Sequence, residues 1–321
     1  MPKPIVDISA IFRATLPEKK PTDATISYSQ FSMYQQCQLK WKLNYIDKIR
    51  FGGPSIITTF GTAFHETLQY YLYVLYHKTA KEADQINLSD LLQERLTEVY
   101  EIEMHTNNNG EHFTDAKTMQ EFYMDGVEIL TYLQKNRTTY FKVLGWELLG
   151  VELPLYIQAS ESNSNVFMNG FIDVVLRDTK NDEIHILDIK TSTRGWTQYD
   201  KANKLKTSQL VLYKQYFAKQ YGYDVEKIHI NYFIVKRKLL AESMFPQRRI
   251  QEFQPSSGKV TRKNLQKDID SFVSSCFNAD GTKNTNREYT AFADKGGKNC
   301  KYCDFADKFN LCPKENRIKA L

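Results

Sequence analysis

The sequence predicts an α/β fold, a sheet flanked by helices, and three observations carry that expectation. From Trp146 onward WELLGVELPLYI, NVFMNGFIDVVLRD and EIHILDIKTS read as three successive strands rich in Val, Ile, Leu and Phe. A helix over about Ala202 to Tyr221 and a further strand, KIHINYFIVK, follow. Before Trp146 the apolar spacing is that of helices instead.

Taken in order, the segment up to Thr22 is weakly patterned and reads as an N-terminal arm, 1–22. A helix then starts at Ser27 or Ser29, both good N-caps, with Phe31, Tyr34, Gln38 and Trp41 at helical spacing and Cys37 in the same stretch. Gly52-Gly53-Pro54 breaks the chain before a second helix over about Thr62 to His77. A mostly helical insert, about 86–142, carries a polar interruption from Asn107 to Gly110. The core strands and helix occupy about 143–236, with the turn Thr179-Lys180-Asn181-Asp182 between the second and third strands. A last helix spans about Lys263 to Phe277, within a basic and Cys-rich segment, 237–321. No internal repeat divides residues 23–321, which read as a single domain.

Composition excludes several classes. With 41% hydrophobic and 25% charged residues the chain is neither disordered, collagen-like nor a disulfide-stapled miniprotein. No apolar run reaches the roughly 20 residues of a membrane helix, and the N-terminus lacks a secretory pattern, so the reading is intracellular, without membrane association. Five cysteines are then reduced thiols. The net charge of +5 is mild, but Lys236 to Lys263 alone carries +6, either a phosphate-binding patch or a solvated face.

The chemistry begins at the hairpin. If the turn centres between Lys180 and Asn181, paired positions sum to 361 and Asp173 faces Asp188, with Lys190 two residues further on the same face. Two facing carboxylates in apolar strands repel and are costly to bury. A divalent metal resolves both problems, and hard oxygen donors select Mg²⁺ or Mn²⁺. The alternative is a structural pair on a solvated sheet face. Glu152 lies on the preceding strand, facing oppositely to Glu147.

GFIDVVL followed by ILDIKTS resembles the PD-(D/E)xK nuclease core, specifically its RecB-like exonuclease branch, through Asp173, Asp188 and Lys190. An upstream G-x-x-x-H is matched by Gly61 and His65, and a downstream Q-x-x-x-Y by Gln209 and Tyr213. The resemblance covers about residues 27–236 in the right order. It implies a restriction-endonuclease-like core with a central mixed sheet. It also implies a metal held by His65, Asp173, Asp188 and the Ile189 carbonyl, catalytic roles for Lys190 and Glu152, and Gln209 and Tyr213 beside the nucleic acid. Lys236, Arg237 and Lys238 join the DNA-binding set through the basic stretch.

Cys300-x-x-Cys303 followed by Cys312 is a ligand pattern for zinc or an iron–sulfur cluster. Cys276 shares helical spacing with Ile269, Phe272 and Val273 and reads as a core residue. The fourth thiol is then Cys37, whose context resembles AddB-type and CRISPR-associated nucleases, where such a cysteine joins three at the C-terminus around a [4Fe-4S] cluster. The gap of eight residues between Cys303 and Cys312 is longer than that family pattern, which keeps Zn²⁺ open. The resemblance implies a Mg²⁺- or Mn²⁺-dependent deoxyribonuclease, an exonuclease acting on ends or single strands in recombination, repair or DNA processing. No Walker-type motif occurs, so unwinding falls to a separate helicase or recombination partner. The competing readings are a non-catalytic nucleic-acid-binding module and a metal-clamped structural or interaction protein.

Overall fold

A computed structural model describes residues 19–20, 24–293 and 298–319. The arm expected over 1–22 lies outside the described residues, apart from 19–20. Strand β1 (Ala24–Ile26) leads into helices α1 (Tyr28–Gln36) and α2 (Gln38–Tyr45), then α3 (Ile56–His77), α4 (Ala80–Asp84), α5 (Leu88–Asn107), α6 (Ala116–Lys135) and α7 (Arg137–Tyr140). Strands β2 (Trp146–Ser160), β3 (Asn163–Asp178) and β4 (Glu183–Ser192) follow, then α8 (Gln198–Ala202), α9 (Lys204–Tyr221), β5 (Ile228–Lys236) and β6 (Ile250–Phe253). Helix α10 (Lys259–Cys276), β7 (Ala291–Ala293), α11 (Lys298–Lys301) and β8 (Arg317–Lys319) complete the chain.

The main sheet is mixed, with order β1-β3-β4-β5-β6 and β2 paired to β3. Strands β1 and β4 run parallel to β3 and β5 respectively, whereas β3–β4 and β5–β6 are antiparallel. This is the α/β architecture expected, a central mixed sheet with helices around it. By internal contacts the described chain divides into two compact units, 53–154 with 171–256, and 24–52 with 155–170 and 257–319.

In the first unit, α3 starts at Ile56 rather than Thr62, because the Ser55 hydroxyl accepts the Ile57 amide at 3.2 Å and caps the helix a turn and a half earlier. Its apolar face (Phe60, Phe64, Leu68, Leu72, Leu75) packs with α5, α6 and the sheet residues Val174, Leu176, Ile189 and Phe233 in one buried cluster. Gly126 on α6 permits that approach, since a Cβ there would stand 2.5 Å from Leu92 and 3.0 Å from Phe60. The β3–β4 turn is fixed by Asp178, whose carboxylate accepts the Lys180 and Asn181 amides. Val174↔Leu187 through Asp178↔Glu183 all obey the predicted register. The parallel step from β4 to β5 requires a crossover, which α8 and α9 supply; Gly222, at φ 74°, ends α9 in the left-handed conformation.

The second unit is built around aromatic rings. Trp41 stands edge-on to Phe272 at 5.4 Å, and Tyr34 lies 4.7 Å from the same ring. Cys276 is fully buried on α10 and its thiol is pushed up to about 12 by burial, as a core residue should be. The helical stretch around Cys37 is two helices instead of one: Cys37 is extended (φ −162°, ψ 114°), ending α1 and preceding α2.

Candidate active site

Helix α3 contributes His65 and, one turn later, Gln69 to a site that β2, β3 and β4 complete. His65 Nδ1 lies 3.7 Å from Asp173 Oδ2. The same Asp173 oxygen accepts the Ile189 amide at 2.7 Å. Gln69 Nε2 donates to Glu152 Oε1 at 2.7 Å and to the Asp173 carbonyl at 3.2 Å, so one amide holds β2 and β3 in place. Glu152 has φ 47°, a costly conformation for a residue with a Cβ, which interrupts the alternation of β2 at this point. His65, Glu152 and Asp173 each offer a ligand atom within 4.8 Å of the others.

Beside this trio, Asp188 is 2% exposed. Its Oδ2 lies 2.7 Å from Lys190 Nζ, a charge-assisted ion pair. Lys190 Nζ also donates to Gln209 Oε1 at 3.1 Å, and Gln209 Nε2 donates to the Tyr213 hydroxyl at 3.2 Å. Gln209 and Tyr213, one turn apart on α9, thus form a chain that fixes the ammonium.

The electrostatics are those of carboxylates short of positive charge. Burial pushes Asp173 up to about 7 and Asp188 up to about 6, against the pull of Lys190 in both cases. Burial also raises Glu152, aided by Glu66 and Asp188 and opposed by Gln69. Burial and then Lys190 lower His65 to about 4, leaving a neutral imidazole, the form that binds a metal. Burial acts to lower Lys190, but Asp188 and Asp173 outweigh it and raise the group, so the ammonium stays charged. One imidazole and three buried or half-buried carboxylates fit a divalent cation, with His65, Glu152 and Asp173 grouped and Asp188 beside them as the donors at hand.

The basic residues at the end of β5 behave differently. Lys236 pairs with Ser192 in the β4–β5 ladder, so alternation puts it on the face of Asp188 and Lys190. Among the described residues no carboxylate lies within 4 Å of it. Arg237 instead donates to Asp125 Oδ2 at 2.7 Å and lies 3.7 Å from the centre of the Phe122 ring. Lys238 donates to Asp125 at 2.8 Å and pairs with Glu121 at 2.9 Å.

Within the second unit, Cys37, Cys300, Cys303 and Cys312 line one small cleft, with Arg317 beside them. Cys37 Sγ accepts the Phe292 amide at 3.4 Å. Burial raises the Cys300 thiol; Arg317 opposes this, while Cys303, Cys312 and Cys37 reinforce it.

Reading the sequence missed Gln69. The available signal was an amide four residues after His65 on the same face of an apolar helix. Gly61, by contrast, is not forced by crowding: a Cβ there would meet Thr191 Oγ1 at an ordinary 3.6 Å.

A mixed sheet whose central hairpin carries two acids and a lysine on one face, closed by an imidazole and a glutamate, defines a hydrolase of the acid–lysine nuclease class. The chain matches the family model of the PD-(D/E)XK nuclease superfamily over residues 25–308 and belongs to that superfamily. Nucleases of this superfamily typically use divalent metals, as the donor set here permits. The matched span includes every residue of the carboxylate site and three of the four clustered cysteines, Cys312 lying beyond it. No curated protein matches the chain by sequence. No helix among the described residues is long and apolar enough to cross a membrane.

Proposed function

We propose that the chain is a metal-dependent deoxyribonuclease of the RecB-like branch, hydrolysing phosphodiesters at ends or in single strands during recombination, repair or DNA processing. The observation that carries this reading is the intact set of Asp173, Asp188 and Lys190 with His65 and Glu152 beside Asp173. His65, Asp173 and Asp188 would hold Mg²⁺ or Mn²⁺, with the Ile189 carbonyl and Glu152 as further donors. A bound divalent ion supplies Lewis acidity toward the phosphate and a nucleophilic hydroxide at neutral pH.

The side chains do the remaining work. Lys190, kept charged by two aspartates and aimed by Gln209, donates hydrogen bonds where charge grows on the phosphate oxygens or orients the attacking water. Tyr213 steadies Gln209 and, with Gln209, borders the nucleic acid. Gln69 prevents Glu152 from turning away. Lys236 meets a phosphate of the strand, with Arg237 and Lys238 behind it; the separate helicase or recombination protein remains the partner this reading calls for.

Cys37, Cys300, Cys303 and Cys312 would hold a [4Fe-4S] cluster, with Zn²⁺ the alternative. Among the described residues no three of these sulfurs lie within 4.8 Å of one another. The role of the bound metal is to tie α1 and α2 to the tail.

Labelled single- and double-stranded DNA oligonucleotides, incubated with Mn²⁺ or with chelator, test the activity. Wild-type protein should cut only with metal. Asp188→Ala should lose cleavage by about 10³-fold or more while binding DNA nearly as before. Cleavage by Asp188→Ala at the wild-type rate would remove the site from the reaction.

A further inference from the structure

The end of the hairpin distant from Lys190 carries a second convergence of ligand groups. Glu183 and His185 are two residues apart on β4, so their side chains share a face. His229 is the register partner of His185 on β5. The two imidazoles stack at 4.8 Å with 24° between their planes. Glu183 Oε2 lies 3.3 Å from His229 Nε2 and 4.0 Å from His185 Nε2, and all three ligand atoms fall within 4.8 Å of one another. His185 Nε2 is buried and has no hydrogen-bond partner. A ring nitrogen with nothing to bond is costly to bury, and a metal is one partner that would satisfy it.

We propose that Glu183, His185 and His229 form a further metal site, separate from the carboxylate centre, for a late first-row divalent cation such as Zn²⁺. Two imidazoles and one carboxylate are borderline ligands that suit Zn²⁺ and its neighbours over Mg²⁺. Bonds of about 2.0–2.1 Å in a tetrahedron set ligand atoms about 3.3–3.4 Å apart. The Glu183–His229 separation of 3.3 Å already has that value, and the His185 separation of 4.0 Å needs a shift of under an ångström. The Trp146 ring, 4.6 Å away, backs the His185 imidazole and limits its rotation. Three protein ligands leave a fourth position for water, and His229 opens the site to solvent.

The site lies on the opposite sheet face from Asp188, since His185 and Asp188 are an odd number of residues apart. Its effect is therefore to clip β4 to β5 across the whole crossover of α8 and α9. The proposal does not rest on the nuclease reading.

The test uses the full chain dialysed against Zn²⁺ in excess Mg²⁺, with bound zinc counted and Tm measured. His229 is solvent-exposed, so His229→Ala should fold; Glu183→Gln, nearly isosteric, repeats the test by a different ligand. Each variant should bind one zinc fewer than wild type at the same free Zn²⁺. The affinity of that equivalent should fall by more than the roughly 10–100-fold that loss of an outer partner causes. Each should also lose the Tm gain that Zn²⁺ gives wild type, with Mg²⁺-dependent cleavage unchanged. The His65 centre and the cysteines are intact in both variants, so the missing equivalent belongs to this site. Equal zinc uptake and an equal Tm gain in wild type and both variants would overturn the proposal.

Discussion

The carboxylate site and the thiol cleft both gather ligand atoms from distant parts of the sequence, but they are built on opposite kinds of backbone. His65 sits mid-helix and Asp173, Asp188 and Lys190 sit on paired strands; Gln69 and Ile189 donate to Asp173, and Lys190 donates to Gln209. The four cysteines sit at a helix junction and along a tail of single turns and three-residue strands. The first site is organised by regular structure and strained by its own charge. The second has little regular structure to organise it, so a bound metal has more to contribute to its order.

The sharpest break of that comparison is Cys37→Ser. If the cleft is closed by its metal, this variant should lose all the iron and sulfide, or zinc, that Cys300→Ser loses, although the two residues are at opposite ends of the chain. Cys276→Ser should keep the metal, its thiol being fully buried and hydrogen-bonded to Tyr34 and Tyr289. The Mn²⁺ affinity of the carboxylate site should persist in both cluster variants. Full metal content in Cys37→Ser would show that the clamp does not include it.

The second largest effect belongs to the other site. Lys190→Ala should cut cleavage by roughly 10²–10³-fold, the cost of removing one well-placed donor, with metal still bound. Gln69→Ala should be milder, a roughly 10–100-fold loss of metal affinity from a residue that only steadies Glu152 and Asp173. Wild-type Mn²⁺ binding in Gln69→Ala would leave Glu152 outside the coordination shell.

These residues differ in how far the sequence exposed them. The hairpin was legible because a polar turn between two apolar runs fixes register, and the ladder from Asp178↔Glu183 to Val174↔Leu187 leads directly to the adjoining Asp173 and Asp188. Gln69 was not, because an amide on a buried helix face looks the same whether it packs or holds a ligand. The break at Cys37 was hidden because Phe31, Tyr34, Gln38 and Trp41 keep helical spacing across it; only the extended Cys37 reveals two helices. Strands β1, β6, β7 and β8 are too short for a period of two and exist through their partners. His229 gained meaning only from the parallel register that sets it beside His185.

Protons distinguish the two sites further. Asp173 and Asp188, raised to about 7 and about 6, retain protons in the metal-free folded state that the unfolded chain releases near pH 4. The stability from that protonation is complete below about pH 4 and is lost as pH rises through about 6 and 7. A divalent ion needs both carboxylates ionised, so the Tm gain on adding Mn²⁺ should grow by a few degrees between about pH 5.5 and pH 8. His65, lowered to about 4, stays neutral throughout and does not reverse the trend. A gain independent of pH would place the ion elsewhere.

The smallest effect separates neighbours within the basic stretch. Lys236 shares the face of Asp188 and Lys190, whereas Arg237 turns to Asp125 and Phe122. If Lys236 meets a phosphate, Lys236→Ala should reduce the slope of log affinity against log salt by about one unit for every DNA sequence, with Tm unchanged. Arg237→Ala should do the reverse. It leaves Asp125, 6% exposed, balanced among the described residues by Lys238 alone, so Tm should fall while the salt slope holds. Equal slopes in wild type and Lys236→Ala would remove Lys236 from the phosphate contacts and leave the nucleic acid to be held along Gln209 and Tyr213.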